Sequence, residues 1–191
     1  VLPNPVLQFQ FNYNKKNYIV NVGRFIKSKQ QFKLIEMFNE IDNEGWELHF
    51  IGDGPELMPT KEKTNKLGCH NKVIFHGKQK DPLKIVAQSK VFAFTSISEG
   101  FPNALLEAFA CGTACISFDC LAGPSDIIDD GINGYLIPQD DVVLYKARLA
   151  ELMNDSKKRE LFVGRALEKS KIFHPTQISL NLLNKIYEDC N

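Results

Sequence analysis

Residues 91–118 read V-F-A-F-T-S-I-S-E-G-F-P-N-A-L-L-E-A-F-A-C-G-T-A-C-I-S-F, a strand, a loop, a helix and a second strand in succession. Val91 to Thr95 and Ala114 to Phe118 are short continuous apolar runs, and Pro102 to Ala110 has the composition of a helix. Pro102 suits a first helical turn, where no partner awaits its missing N–H, and Cys111-Gly112 supplies the stop. Strands that are apolar at every position are buried on both faces, which is the condition of a parallel sheet covered by helices. Phe92, Phe94, Phe109 and Phe118 are therefore expected in the core.

The same alternation extends in both directions. Upstream, Tyr18 to Val22 is a buried strand ending at Gly23, and Ser28 opens a helical stretch with Leu34, Ile35, Phe38 and Ile41 on one face. Trp46 to Ile51 is a strand closed by Gly52-Asp53-Gly54-Pro55, followed by a polar helix to about Leu67. Lys72 to His76 is a strand, and Asp81-Pro82 reads as an N-cap with Pro in the first turn of a helix to Ser89. Downstream come a short helix over Ser125 to Asp129, a strand at Tyr135 to Ile137, and three helices, the last over Thr176 to Glu188. The fold class is α/β, a Rossmann-like doubly wound parallel sheet of about six strands, with ligands expected beyond the carboxyl ends of the strands. Residues 1–17, rich in Pro, Asn and Gln, form a linker or edge segment, residues 18–173 the domain, and residues 174–191 a C-terminal helix. Gly52-Asp53-Gly54 is half a dinucleotide fingerprint. The full G-x-G-x-x-G is absent, which argues against NAD or FAD.

Twenty-three basic residues cancel twenty-three acidic ones in 191, so no net charge draws the chain to nucleic acid or to an anionic membrane surface. Any bound anion must be held by local geometry. Cys69, Cys111, Cys115, Cys120 and Cys190 make an odd set without a C-x-x-C pair, which fits buried thiols in a reduced compartment and no metal site. No run approaches the roughly 20 apolar residues that cross a bilayer, and the start lacks the pattern of a signal peptide. A first residue that is Val rather than Met fits a piece of a longer protein.

The chemistry concentrates around Glu99 and Glu107, which stand eight residues apart, one in the loop and one in the helix. Gly100 between them lets a backbone approach a ligand, and free N–H groups around Asn103 and Ala104 make the helix start an anion site. A ligand with phosphates in the middle and hydroxyls at both ends suits this order. Each residue also has a plain structural reading: Arg24 as a solvated strand end, Glu107 as a surface helix former, Glu99 as a loop acceptor, His76 as a packed or capping histidine. His49 and His70 have no nameable partner in the sequence.

The segment E-G-F-P-N-A-L-L-E-A resembles the E-x7-E signature of family 4 glycosyltransferases, retaining enzymes of the GT-B fold. Val22-Gly23-Arg24 with Lys29, Ile51 to Glu56, Val73 to Gly77, Ala110 to Thr113, Gly123 to Ile128 and Asp130 to Leu136 recur in the family's order, from about residue 18 to about residue 140. The resemblance implies the C-terminal, donor-binding half of such an enzyme. Arg24 and Lys29 would hold the diphosphate of a nucleotide-sugar donor, with Gly23, Gly100, Phe101, Pro102, Asn103 and Ala104 lining the site. Glu107 would hold the ribose, Glu99 the transferred sugar, and the loop of His76 would lie near the base. Gln30 stands where the family often has Gly, and Asp126 where many relatives have Glu. No Asp-x-Asp pair is present, so neither a metal nor another cofactor is expected, the cations and the helix terminus taking that role.

The function implied is transfer of a hexosyl unit from a UDP-sugar to a glycan or lipid-linked acceptor. The partner would be an N-terminal acceptor domain of the same protein, without which this half is expected to be inactive. The setting would be cytoplasmic, with peripheral contact at the inner face of a bacterial membrane and no nucleic-acid partner. Leu180, Leu182, Leu183 and Ile186 of the last helix would face the N-terminal domain. Two other readings stay open. A non-catalytic doubly wound module, such as a receiver, would need an acidic cluster where Val22-Gly23-Arg24 is basic. An epimerase or phosphorylase on the same fold would ask, for phosphorolysis, for a cofactor lysine that cannot be located.

Overall fold

The computed structural model describes residues 4–7, 13–121 and 123–189. Six strands form one parallel sheet: β1 (Lys16–Val22), β2 (Glu47–Ile51), β3 (Val73–Phe75), β4 (Ser89–Phe94), β5 (Ala114–Asp119) and β6 (Tyr135–Pro138). Their order is β3-β2-β1-β4-β5-β6. Ile19 lies opposite Leu48 on one side and Val91 on the other, and Ile116 lies opposite Ala93 and Tyr135. The chain runs outward from β1 to β3, then crosses back to β4, so the carboxyl ends of β1 and β4 flank the topological switch point.

Each strand shows one side chain in two to each face, and both faces are roofed by helices. On the first face, α1 (Gln31–Asn39), α2 (Leu57–Lys66) and α6 (Val142–Asn154) cover a core that includes Ile19, Leu34, Phe38, Phe50, Ile116 and Leu149. On the second face, α3 (Leu83–Gln88), α4 (Asn103–Ala110), α5 (Pro124–Ile127) and α7 (Ser156–Ser170) cover Val20, Phe92, Leu106, Phe109 and Cys115. Tyr145 is fully buried, and its hydroxyl donates to the carbonyl of Phe94 at 3.3 Å. A 3-10 turn over Lys171–Phe173 leads into α8 (Pro175–Asp189). No helix among the described residues is long and apolar enough to cross a membrane.

Some local expectations change. Strand β1 begins at Lys16, two residues before Tyr18, because Lys16 already pairs with Ser89. Val6 is buried, and its N–H donates to the carbonyl of Phe173 at 2.9 Å, so residues 4–7 dock at the end of the helical layer. Asp81 does not cap α3. Pro82 holds the N-cap position without a side-chain hydrogen bond, and the Asp81 carboxylate faces Lys84 at 3.4 Å. The fixed φ of Pro82 already starts the helix, which leaves the acid free for the cation one turn on. Cys69, Cys111, Cys115 and Cys120 are free thiols, all buried. Leu180, Leu182 and Leu183 are exposed on α8. The Ile186 side chain and Cys190 lie outside the described residues.

Candidate functional site

The loop after β1 is built by backbone packing. The N–H of Gly23 donates to Ile51 at 3.0 Å and that of Phe25 to Asp53 at 2.9 Å, while Glu56 donates back to Phe25 at 3.0 Å. Gly52 has φ +141°, and a Cβ there would overlap the carbonyl oxygen of Gly23. A Cβ at Gly54 would likewise overlap the carbonyl of Phe25. The glycines of Gly52-Asp53-Gly54 thus let one loop lie directly on another and fix the segment that carries Arg24.

Beyond Arg24 the chain makes a 3-10 turn over Lys27–Lys29 and enters α1 through Gln30, at φ 50° and ψ 37°. This left-handed conformation explains why the resembling family often has Gly here. A side chain in that region costs roughly 1–2 kcal/mol. The loop after β4 holds the turn in place. The Thr95 hydroxyl donates to the carbonyl of Lys29 at 3.0 Å, and the N–H of Ile97 donates to Ser28 at 2.9 Å.

The two loops also meet through charge. The Lys29 ammonium is ion-paired with the Glu99 carboxylate, the two side chains being 20% and 11% exposed. The same ammonium lies 5.4 Å from the centre of the Phe94 ring. Cys120, at the end of β5, adjoins this pair. Burial, and secondarily the charge of Glu99, pushes its thiol up to about 11. No spacing in the sequence marked Cys120 as a neighbour of Glu99. The link exists because Glu99 donates its N–H to Leu121 at 3.3 Å, across two loops.

Helix α4 begins at Asn103, with Pro102 as N-cap. The Pro102 carbonyl accepts from Leu105 and Leu106 at 3.0 and 3.2 Å. The N–H of Asn103 is turned back onto Phe101 at 3.0 Å, and the Asn103 side-chain oxygen accepts from Asn4 at 2.8 Å. The free amides are therefore a different set from the one the sequence indicated. Among the described residues, the N–H groups of Gly100, Phe101 and Ala104 have no acceptor. The Phe101 ring lies 6.1 Å from that of Phe173 and packs with the second-face core, so only its backbone is available to a ligand. A Cβ at Gly100 would meet no atom within 4 Å.

Glu107 is half-buried among Leu105, Leu106, Ala108 and Phe109, and burial raises its carboxyl above the ordinary range. Arg24 is exposed and makes no ion pair among the described residues. The structure thus brings Lys29 and Glu99 together at the switch point, with Gly23 supporting the same loop. It leaves Arg24 free at the rim and sets Glu107 on α4, one turn past its start.

His76 follows β3, and its N–H donates to Phe50 at 2.9 Å. Its Nε2 lies 2.9 Å from Nδ1 of His49, whose own Nε2 lies 3.0 Å from the Glu47 carboxylate. Burial lowers both imidazoles, and Glu47 partly opposes this at His49. The period-2 rule places Glu47 and His49 on one face of β2, and the β2–β3 register, with His49 opposite Ile74, brings His76 alongside. That register was the missing signal. Among the described residues no group of three or more His, Cys, Asp or Glu side chains is placed to hold a metal. What the arrangement offers among the described residues is the cations Lys29 and Arg24, the unbonded amides of Gly100, Phe101 and Ala104 and a helix start for an anion, with the carboxylates of Glu99 and Glu107 as acceptors for hydroxyls.

Residues 6–169 match the family described as "Glycosyl transferases group 1". The chain is 36% identical over 129 residues to the lipopolysaccharide 1,6-galactosyltransferase of Salmonella typhimurium, an alignment covering 64% of this chain and 36% of that protein. It is 30% identical over 164 residues to the amylovoran biosynthesis glycosyltransferase AmsD of Erwinia amylovora, covering 86% of this chain and 46% of that protein. The chain therefore spans less than half the length of these curated relatives. Among solved structures, the apo form of the lipopolysaccharide outer core galactosyltransferase WaaB superposes with a TM-score of 0.86 at 28% identity, over 99% of this chain and 55% of that one.

Proposed function

The chain belongs to the group 1 glycosyl transferases, and from that premise we propose that it is the C-terminal, donor-binding half of a retaining, family 4 enzyme of GT-B architecture. Its donor is a nucleotide-diphosphate sugar, UDP-linked by family habit, and its product a hexosyl unit on a glycan or lipid-linked acceptor. The relatives named as galactosyltransferase and amylovoran glycosyltransferase support that class of reaction. An N-terminal acceptor domain completes the site, and the whole enzyme works peripherally at the inner face of a bacterial membrane.

One observation carries the reading: the Lys29–Glu99 ion pair, which joins the loops after β1 and β4 beside the amides of Gly100, Phe101 and Ala104, which have no acceptor among the described residues. An incoming diphosphate competes with Glu99 for Lys29. It takes the ammonium, Arg24 and the amides, and Glu99 is released to accept hydrogen bonds from the sugar hydroxyls. Glu107 accepts from the ribose. As the glycosidic bond to the diphosphate breaks, the leaving oxygen gains charge, and the cations and helix start stabilise that charge more than they stabilise the bound ground state. Among the described residues Glu99 is ion-paired with Lys29, which does not place it as a covalent nucleophile. Attack by the acceptor on the leaving-group face, with the departing phosphate oxygen taking its proton, fits a site that works by positioning.

Calorimetric titration with UDP tests the site. Arg24→Ala, Lys29→Ala and Glu107→Ala each remove a charged hydrogen-bonding group worth about 1.5–3 kcal/mol, a loss of roughly 10- to 100-fold in affinity. Unchanged affinity in both Arg24→Ala and Glu107→Ala defeats the assignment.

A further inference from the structure

We propose that a cleft at the amino edge of the sheet binds a small organic carboxylate, its anion held by Lys15, Lys90 and Arg159 and its apolar body resting on Gly112 and Val163. The inference is independent of the donor-site reading, because the two sites lie at opposite edges of the sheet.

Four segments line the cleft. Lys15 immediately precedes β1, Lys90 is the second residue of β4, and Gly112 joins α4 to β5, so the starts of three strands meet there. The register, with Lys16 opposite Ser89, sets Lys15 and Lys90 at the starts of adjacent strands. Helix α7 closes the cleft with Ser156, Arg159, Glu160 and Val163, whose i, i+3, i+4, i+7 spacing puts them on one helical face. Gly112 has φ +62°, and a Cβ there would stand 3.5 Å from Cγ1 of Val163, so the two residues form a continuous carbon floor.

The cleft gathers positive charge without neutralising it. Lys15 is exposed as a residue, but its ammonium is drawn in, donating to the Thr113 hydroxyl at 3.0 Å and to the Cys111 carbonyl at 3.4 Å. Lys90 donates to the side-chain oxygen of Asn17 at 2.6 Å. Nη1 of Arg159 donates to the carbonyls of Leu152 and Met153 at 2.6 and 3.0 Å. Every one of these acceptors is neutral, so the contacts fix the cations in place and leave their charge. An ammonium has three N–H groups and a guanidinium five, so donors remain on all three residues. Among the described residues none of the three is ion-paired. Lys90 and Arg159 also crowd one aromatic ring, 5.9 and 5.8 Å from the centre of buried Trp46. Burial pushes Lys15 down to about 8, and it lowers Lys90, where the charge of Arg159 adds to the effect. An acidic partner would act in the opposite direction. Glu160 is the one acid among the described lining residues, against three cations.

Size and lining choose the anion. The cleft has a volume of about 210 Å³. A dry cavity of about 150 Å³ accommodates benzene, so this one suits a six-membered ring with a carboxylate and is too small for a nucleotide. Val163, Gly112 and the methylene stems of the two lysines give the ring carbon to rest on. The carboxylate accepts charge-assisted hydrogen bonds from the ammonium groups and the guanidinium. A bare inorganic anion would leave the carbon floor wet, and a neutral ring would leave the cations unpaired.

Trp46 is the only tryptophan of the chain, and its contact with Lys90 and Arg159 makes its fluorescence a reporter of the cleft. The test is titration with cyclohexanecarboxylate, with cyclohexylmethanol as the neutral ring and acetate and inorganic phosphate as anions without one. Cyclohexanecarboxylate should change the fluorescence saturably, and the alcohol should bind roughly 10- to 100-fold more weakly, the loss of one or more charged hydrogen bonds. Acetate and phosphate should also bind at least about tenfold more weakly, from loss of the buried ring. Lys15→Gln and Lys90→Gln should each weaken cyclohexanecarboxylate about tenfold or more with unchanged thermal melting, and Lys90→Arg should retain it. In wild type, amide shifts on binding should centre on Lys15, Gly112 and Val163, a readout that holds even if a variant fails to fold. Absence of a saturable change in wild type overturns the inference. So does equal binding of acid and alcohol, equal binding of ring acid and acetate, or unchanged affinity in both glutamine variants.

Discussion

Replacing Gly100 with Ala separates folding from binding at the centre of the proposed site. A Cβ at this position meets no heavy atom within 4 Å, and the backbone is not in the left-handed region, so the methyl group is accommodated without strain. Loss of unfolded-state freedom then stabilises the protein by about 0.4–1 kcal/mol. For a chain of this size that is a rise of roughly 1–4 °C in Tm. In the donor reading the same methyl stands where the diphosphate passes to reach the amides of Gly100, Phe101 and Ala104. Loss of one such charged contact is about 1.5–3 kcal/mol, or roughly 10- to 100-fold in UDP affinity. Gly52→Ala provides the contrast. Its φ of +141° and the overlap with the Gly23 carbonyl make it costly to the fold, by about 3 kcal/mol or more from strain and displaced backbone. Differential scanning calorimetry and UDP titration on both variants measure the two effects. A Gly100→Ala protein that binds UDP as wild type does, or that loses as much stability as Gly52→Ala, refutes the reasoning.

Gln30→Gly removes a left-handed strain of roughly 1–2 kcal/mol and adds about 0.5–1 kcal/mol of glycine entropy, so urea denaturation should show it stabilised by about 0.5–1 kcal/mol. Glu99→Gln frees Lys29 from its ion pair, and titration should show tighter binding of inorganic pyrophosphate together with loss of the preference for UDP-sugar over UDP. Stability should fall as pH is lowered below about 6.5, because the unfolded chain takes up protons at His49 and His76 before the folded chain, in which burial lowers both. Urea midpoints at pH 7.5 and 5.5 test this, and the drop should shrink in His49→Phe.

The strands were legible because a parallel sheet roofed on both faces keeps its strand centres largely apolar, with few polar residues such as Asn21, His49 and Ser117 inside them. Val91 to Thr95 and Ala114 to Phe118 could be nothing else, and Gly and Pro marked their ends to within about two residues. The helix stop at Cys111-Gly112 was equally plain, and Gly112 indeed has φ +62°. What could not be read was anything set by the meeting of distant loops. Lys29 and Glu99 are 70 residues apart and join only because β1 and β4 are neighbours at the switch point. The partners of His49 depend on the register of β2 with β3, which apolar runs leave undetermined. The N–H of Asn103 turns onto Phe101 through a local bend after Pro102, and the Asp81 carboxylate goes to Lys84 rather than to the helix start; single-residue geometry of this kind lies below the resolution of pattern and propensity.

The most direct test of the donor site is an amide proton–nitrogen correlation spectrum of the chain recorded during titration with UDP. The largest shifts should fall on Gly100, Phe101, Ala104 and Lys29, with a second set at His76 and Gly77 and none at Lys15 or Gly112 on the opposite edge of the sheet. Saturable shifts confined to that opposite edge, or no shift of the Gly100, Phe101 and Ala104 amides at saturating UDP, would contradict it.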